Sequence, residues 1–247
     1  MIDAIYCVSL TRLVERRDFI INLLSPFQKE FDIYVFDAID HQNVSLEDLN
    51  SEGFFTYDSW KMEDSNNFWY SRDLKMGSIC NLLGHYNIWK HIYDNYQFAL
   101  VLEDDVKFVG RDFRESLFIA SNFMKTNDCD LFYLGCWPVK GYETEEVDDI
   151  IEKVGYTYNS HAYIVTKDSA KELFSSGIKN NLITTDEYIA STYCEHPRED
   201  IRHLYSNRKL NAYRFKDDVV VQRVGHSNVI GELGGVDKSE IENSRSV

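Results

Sequence analysis

Residues Gly77–Phe108 read GSICNLLGHYNIWKHIYDNYQFALVLEDDVKF. Within Met76–Tyr96, Ile79, Leu82, Leu83, Tyr86, Trp89, Ile92 and Tyr93 recur at the i, i+3, i+4, i+7 spacing of an amphipathic helix. Phe98–Leu102 is a continuous apolar run, the pattern of a buried strand, and Glu103, Asp104 and Asp105 follow at once. A helix feeding a buried strand that ends in acids predicts an open α/β sheet, where ligands bind beyond the carboxyl ends of strands. Three carboxylates at such a place repel one another unless donors or a cation offset them. A hard divalent ion does so with two or three oxygens at about 2.0–2.2 Å. Three acids in a row arise about once by chance in a chain with 41 acids among 247 residues, so the motif gains its weight from position. A loop of solvated acids is the competing reading.

Upstream, Ile2–Leu10 reads as a buried strand, Arg12–Leu24 as a helix stopped by Ser25-Pro26, and Phe31–Ile39 as a second strand. Strand, helix, strand opens an α/β fold with parallel pairing. Residues 41–72 lose the periodicity but are rich in aromatics, which predicts an ordered, folded-over segment. Downstream, helices are expected at 113–124, 167–177 and 184–196, with Gly177 as a C-cap and Thr184 or Thr185 as an N-cap. Strands are expected at 130–135, 160–166, 210–215 and 218–224, and the acidic stretch 142–153 reads as a surface excursion. No repeat or linker divides the chain. One domain over 1–235 and a polar, frayed tail over 236–247 are the expectation.

The net charge of −15 argues against nucleic acid and against an anionic membrane surface. A polyanionic ligand needs local arginine, lysine or a bound cation. The five cysteines are odd in number and match no zinc spacing, so they read as reduced, mostly buried thiols. The first residues lack the basic and apolar regions of a signal peptide. No apolar run approaches the roughly 18 residues of a membrane span. A cytoplasmic protein, of bacterial or viral source, is the expectation.

The 77–108 segment resembles the central signature of glycosyltransferase family 25, roughly GE-x-GC-x-x-SH-x-x-x-W, a helix, then a strand ending in EDD. Gly77, His85, Trp89 and the acidic triplet match, and "HYNIWK" is similar to the collagen-modifying branch. The segment departs from the pattern at Ser78, Cys80, Asn81 and Gly84. Other stretches resemble the family in order: "YCVSLTRLVERR", "FDAID", "NSHAYIVTKDSAKELF", "LITTDEYIASTYCEHP", "LNAYRF" and "VVVQRVGHSN".

The resemblance implies a GT-A fold, a Rossmann-like mixed sheet flanked by helices, that binds a UDP-sugar and a divalent metal, Mn²⁺ or Mg²⁺. The implied activity is hexose transfer from UDP-galactose or UDP-glucose, with inversion. The implied acceptor is hydroxylysine in a collagen-like chain or a hydroxyl of another glycan. Asp105 is the first implied metal ligand, with Glu103 and a late histidine, His226. Asp104 falls to metal or ribose. Ser9 and Leu10 would supply backbone contacts to uracil or ribose. Arg12 and Arg16 follow the first strand, where the nucleotide is held. Arg16 or Arg17 would pair with phosphate or a neighbouring acid, and Asp37 and Asp40 would bond uracil or ribose. Asp186, with Glu187 behind it, would be the base that takes the acceptor's proton. Each has a plainer alternative: helix-dipole acids for Asp186 and Glu187, a solvated helix face for the arginines, a packed imidazole for His85. A family member that binds a nucleotide sugar or a protein partner without turnover is the alternative function. A metal-dependent phosphotransferase or nuclease ranks last, since no Walker motif or basic patch is present.

Overall fold

The computed structural model describes residues 2–65, 67, 69–142, 144–205 and 209–223. An eight-stranded mixed sheet carries helices on both faces, as expected. The first strand, β1 (Ala4–Ser9), is buried along its whole length. Its side chains alternate between two cores, Ala4, Tyr6 and Val8 on one face and Ile5 and Cys7 on the other. Helix α1 (Val14–Leu24) crosses over the second face to β2 (Asp32–Asp37), parallel to β1. Helix α3 (Met76–Asn95) returns over the first face to β3 (Phe98–Glu103), parallel to β1 on its other side. Crossovers on opposite faces of one strand create a crevice at its carboxyl end.

Between β2 and α3, the described residues of the 41–72 segment fold back onto the first core. Trp60 and Tyr70 are buried, and the segment contains α2 (Leu46–Ser51), closed by a capping box between Ser45 and Asp48. At six residues, α2 is too short to show a helical period.

The acidic triplet occupies the bend where β3 passes into β4 (Val106–Phe108), which leaves the main sheet. Helix α4 (Phe113–Thr126) lies over the second core, its N-cap Asp112 accepting from the Glu115 backbone at 3.0 Å. Strand β5 (Leu131–Pro138) follows. The acidic stretch after it is more than a surface excursion. It forms β6 (Glu145–Glu146) and β7 (Ile151–Lys153), a hairpin at the sheet edge that buries Ile151. Strand β8 (Thr157–Thr166) inserts antiparallel between β3 and β5. Helices α5 (Lys167–Ser175) and α6 (Thr185–Tyr193) pack with α3 on the first face. Gly177, at φ 88°, takes the left-handed turn after α5. Strand β9 (Ala212–Phe215) joins β5 in parallel, and β10 (Val220–Gln222) pairs with β4. The sheet order is β2-β1-β3-β8-β5-β9-β7-β6.

Two glycines set close approaches. A Cβ on Gly84 of α3 would lie 2.9 Å from Val8 of β1, so this glycine lets the helix rest on the strand above the crevice. A Cβ on Gly135 would lie 1.8 Å from the Val220 carbonyl and 2.7 Å from His161.

Candidate active site

The crevice is lined by the end of β1 (Val8, Ser9, Leu10), the turn after β2 (Ala38, Ile39, His41), the start of α3 (Gly77, Cys80, Asn81), Arg16 of α1, and the triplet. The three acids differ in their surroundings. Asp104 accepts from Ser9 Oγ at 2.8 Å and is ion-paired to Arg16. Glu103 is held by Asn81 Nδ2 at 3.3 Å, Ser160 Oγ at 3.4 Å and Gln222 Nε2 at 3.3 Å, with His85 Nε2 3.7 Å away. Burial pushes the Glu103 carboxyl up, but His85, His161 and Asn81 outweigh it and hold it below the usual range.

Asp105 is 3% exposed, and its Oδ1 has no hydrogen-bond partner among the described residues. Its Oδ2 lies 3.5 Å from Arg16 Nη2. Burial, then the Glu103 charge, pushes its carboxyl up to about 7. A buried oxygen without a donor, on a carboxyl whose charge is under-compensated, is what a hard cation satisfies. Asp105 therefore fits an ion. Asp104, taken by Ser9 and Arg16, does not. Among the described residues no group of three or more His, Cys, Asp or Glu is arranged to hold a metal. His226 lies outside the described residues, as does the 236–247 tail. The Arg223 backbone N–H donates to the Asp105 carbonyl at 2.6 Å, which seats the end of β10 on the triplet.

The remaining sequence-derived residues separate. Ser9 and Leu10 line the crevice, with Ser9 directed to the triplet. Arg12 pairs with Asp40 at 2.6 Å, and neither is part of the crevice lining, although Asp40 stands between Ile39 and His41, which are. Burial acts to raise the Asp40 carboxyl, but the Gln42 backbone and Arg12 hold it below the usual range. Asp37 is mostly exposed and pairs with Arg17 at 2.8 Å, outside the crevice lining. His85 is fully buried behind Glu103, stacked on Tyr163 and 2.7 Å from its hydroxyl, which also accepts from Trp89 at 2.9 Å.

Asp186 and Glu187 open α6 but face different partners. Asp186 accepts from Thr184 Oγ1 at 2.7 Å, from the Glu187 backbone at 3.0 Å and from the Asn159 backbone at 3.3 Å. Thr184 is the N-cap residue, but its hydroxyl serves Asp186 and makes no capping bond. Burial, then the Glu187 charge, raises the Asp186 carboxyl to about 6. Glu187 is buried, with Tyr70 at 3.0 Å, Tyr156 at 2.8 Å and His196 at 2.6 Å. Both its oxygens are taken, so it ties the 41–72 segment to α6.

Several participants were not read from the sequence, among them Gln222 on Glu103 and the Tyr70, Tyr156 and His196 partners of Glu187. Asn81 joins Glu103 to Thr185, Ser160 donates to Glu103, and Asn159 holds Asp186. Asn159 is the one non-glycine residue at positive φ (71°) among the described residues. Asparagine tolerates that conformation better than most, which is a weak signal at best.

The family model of glycosyltransferase family 25 (LPS biosynthesis protein) matches residues 2–189. A glycosyltransferase 25 family member of Anopheles gambiae is 27% identical over 212 residues, covering 85% of this chain and 35% of that protein. Human procollagen galactosyltransferase 2 is 24% identical over 251 residues, 99% of this chain and 39% of that protein. The procollagen lysyl hydroxylase and glycosyltransferase of Acanthamoeba polyphaga mimivirus is 28% identical over 204 residues, 76% of this chain and 21% of that protein. The chain thus spans little more than a third of the first two relatives. No helix among the described residues is long and apolar enough to cross a membrane. With the triplet at the crevice, the acids at the start of α6 and a family match over most of its length, the chain belongs to glycosyltransferase family 25.

Proposed function

We propose that this chain transfers a hexose, galactose before glucose, from a UDP-sugar to a hydroxyl of a collagen-like chain or another glycan. The observation that carries the reading is the Asp105 oxygen that has no partner among the described residues, in a crevice built at the carboxyl ends of β1 and β3. Asp105 would hold a divalent ion, Mn²⁺ or Mg²⁺, which neutralises charge on the departing diphosphate. Arg16, braced by Asp104, adds a fixed positive charge on the same wall. Ser9 and Leu10 border the space for the nucleoside. Asp186, ionised above about pH 6, takes the acceptor hydroxyl's proton as the new bond forms, which gives inversion. Glu187 holds α6 in place through Tyr70, Tyr156 and His196.

The relatives' names support galactose and collagen-like acceptors as the first to try. A nucleotide-sugar binder without turnover is the second reading. It is favoured by Arg16 on Asp104, which already offsets part of the triplet's charge. The two separate in an assay of UDP release with Mn²⁺, UDP-galactose or UDP-glucose, and hydroxylysine peptide or glycan acceptors. Acceptor-dependent release, reduced about 10²–10³-fold in Asp105→Ala with unchanged circular dichroism, is expected for the transferase. UDP binding without release under any condition would establish the second reading instead.

A further inference from the structure

We propose that Asn81 is a positioning residue that fixes the helix bearing Asp186 against the acidic end of β3. The inference rests on the transferase reading above and adds a specific part to it. Asn81 lies in the second turn of α3 and lines the crevice. Its Nδ2 donates to Glu103 Oε1 at 3.3 Å, and its Oδ1 accepts from Thr185 Oγ1 at 2.6 Å. The orientation of the amide follows from chemistry. An ionised carboxylate only accepts, so the NH₂ end must face Glu103 and the oxygen is left for the threonine hydroxyl. Thr185 is buried, is the first residue of α6 and precedes Asp186.

A second route joins the same two acids. Ser160 of β8 donates to Glu103, and the backbone of its neighbour Asn159 donates to Asp186. That route depends on Asn159 at φ 71°, a conformation that costs free energy and persists only where its surroundings enforce it. The Glu103–Asn81–Thr185 link and the β8 link thus span the gap between the triplet and the start of α6 from two sides. For in-line attack, a donor sugar seated at the triplet and a base on α6 must flank the acceptor oxygen at a fixed separation, since misplacement by about 1 Å costs about 10²-fold in rate. The Asn81 link sets that distance without touching the reacting atoms. No shorter side chain reaches both partners. Aspartate would keep the threonine contact but place a second negative charge against Glu103.

The test compares Asn81→Ala, Thr185→Val and the double variant in steady-state transfer and in UDP binding with Mn²⁺. Thr185→Val severs the same contact from the other side with little change in volume, so the result survives if Asn81→Ala folds poorly. Each single variant is expected to lose about 10–100-fold in kcat, with donor KM and UDP affinity within about twofold of wild type. The double variant is expected to fall no further than the worse single, the signature of one shared link. Unchanged kcat in both singles overturns the proposal. So does a parallel loss of UDP affinity, kcat and melting temperature, which would mark Asn81 as merely structural. A wild type that neither binds UDP nor transfers sugar overturns the transferase reading, and this one with it.

Discussion

Asp186 and Glu187 are consecutive in sequence, share one helical turn, and are suited to opposite tasks. Glu187 has both oxygens taken by Tyr70, Tyr156 and His196. Among the described residues, Asp186 is tied to its own helix start and, at 3.3 Å, to the Asn159 backbone. Its carboxyl is raised to about 6 by burial and by the Glu187 charge, with Tyr158 also nearby. A base must be ionised to act, so kcat/KM is expected to fall about tenfold per pH unit below that value and to level off above it. Asp186→Asn is expected to lower kcat about 10²–10⁴-fold and to abolish this acid limb, as read from pH–rate profiles. An unchanged limb in the variant would assign it to another group. Because the folded value lies above the unfolded one near 4, this carboxyl's contribution to stability is present at low pH. It is lost as pH rises through about 6. The group is thus least favourable to the fold where it would work. Glu187→Ala leaves two buried tyrosines and a buried histidine without their acceptor. It is expected to cost about 3 kcal/mol or more in urea unfolding.

Among the elements, those with a strong period were legible. The α3 expectation over Met76–Tyr96 differs from the observed Met76–Asn95 by one residue, because a long amphipathic helix repeats its signal over several turns. The buried strand 98–102 and its acidic end were equally clear. Short or edge elements were not. α2 depends on a local capping box, and β6 and β7 form a hairpin whose acidic outer residues hide one buried isoleucine. Within the described part of the expected strand 218–224, β10 covers Val220–Gln222, the three residues that pair with β4. That small ribbon is fastened at Gly135, where β5 is bulged, and by His161 Nε2, which donates to the Val220 carbonyl at 3.0 Å. Gly135→Ala would drive a methyl into that carbonyl. It is expected to lower stability by about 1–3 kcal/mol and to expose the amides of 219–222 to exchange. Wild-type protection at those amides in the variant would show that the ribbon is held by other contacts.

At the scale of the molecule, two apolar cores share one sheet, so each strand of its centre contributes to both. The described residues are expected to unfold in a single transition. Tryptophan emission reports on the first face, where Trp60 and Trp89 are buried, and far-ultraviolet dichroism on the whole. Separated midpoints would divide the chain into independent units. The site was legible in part for the same reason as the fold. Residues close in sequence, such as the triplet, or carried by the family pattern, such as Asp186, could be named. Asn81 and Thr185 are 104 residues apart and meet only when α3 and α6 pack, so no local pattern announces their bond. Arg16 could be named from its place after the first strand, and it does pair with an acid of the triplet, but composition alone gives no sign of it. A net charge of −15 hides the arginine that offsets the triplet from within.

Asp105, whose Oδ1 has no partner among the described residues, is proposed as the place where an ion and the diphosphate of a UDP-sugar meet this chain. The most direct test is the melting temperature of wild type and Asp105→Ala with UDP, with Mn²⁺, and with both. A rise in wild type that requires both ligands together and disappears in Asp105→Ala is the expected result. An equal rise with UDP alone, or a rise preserved in the variant, would contradict it.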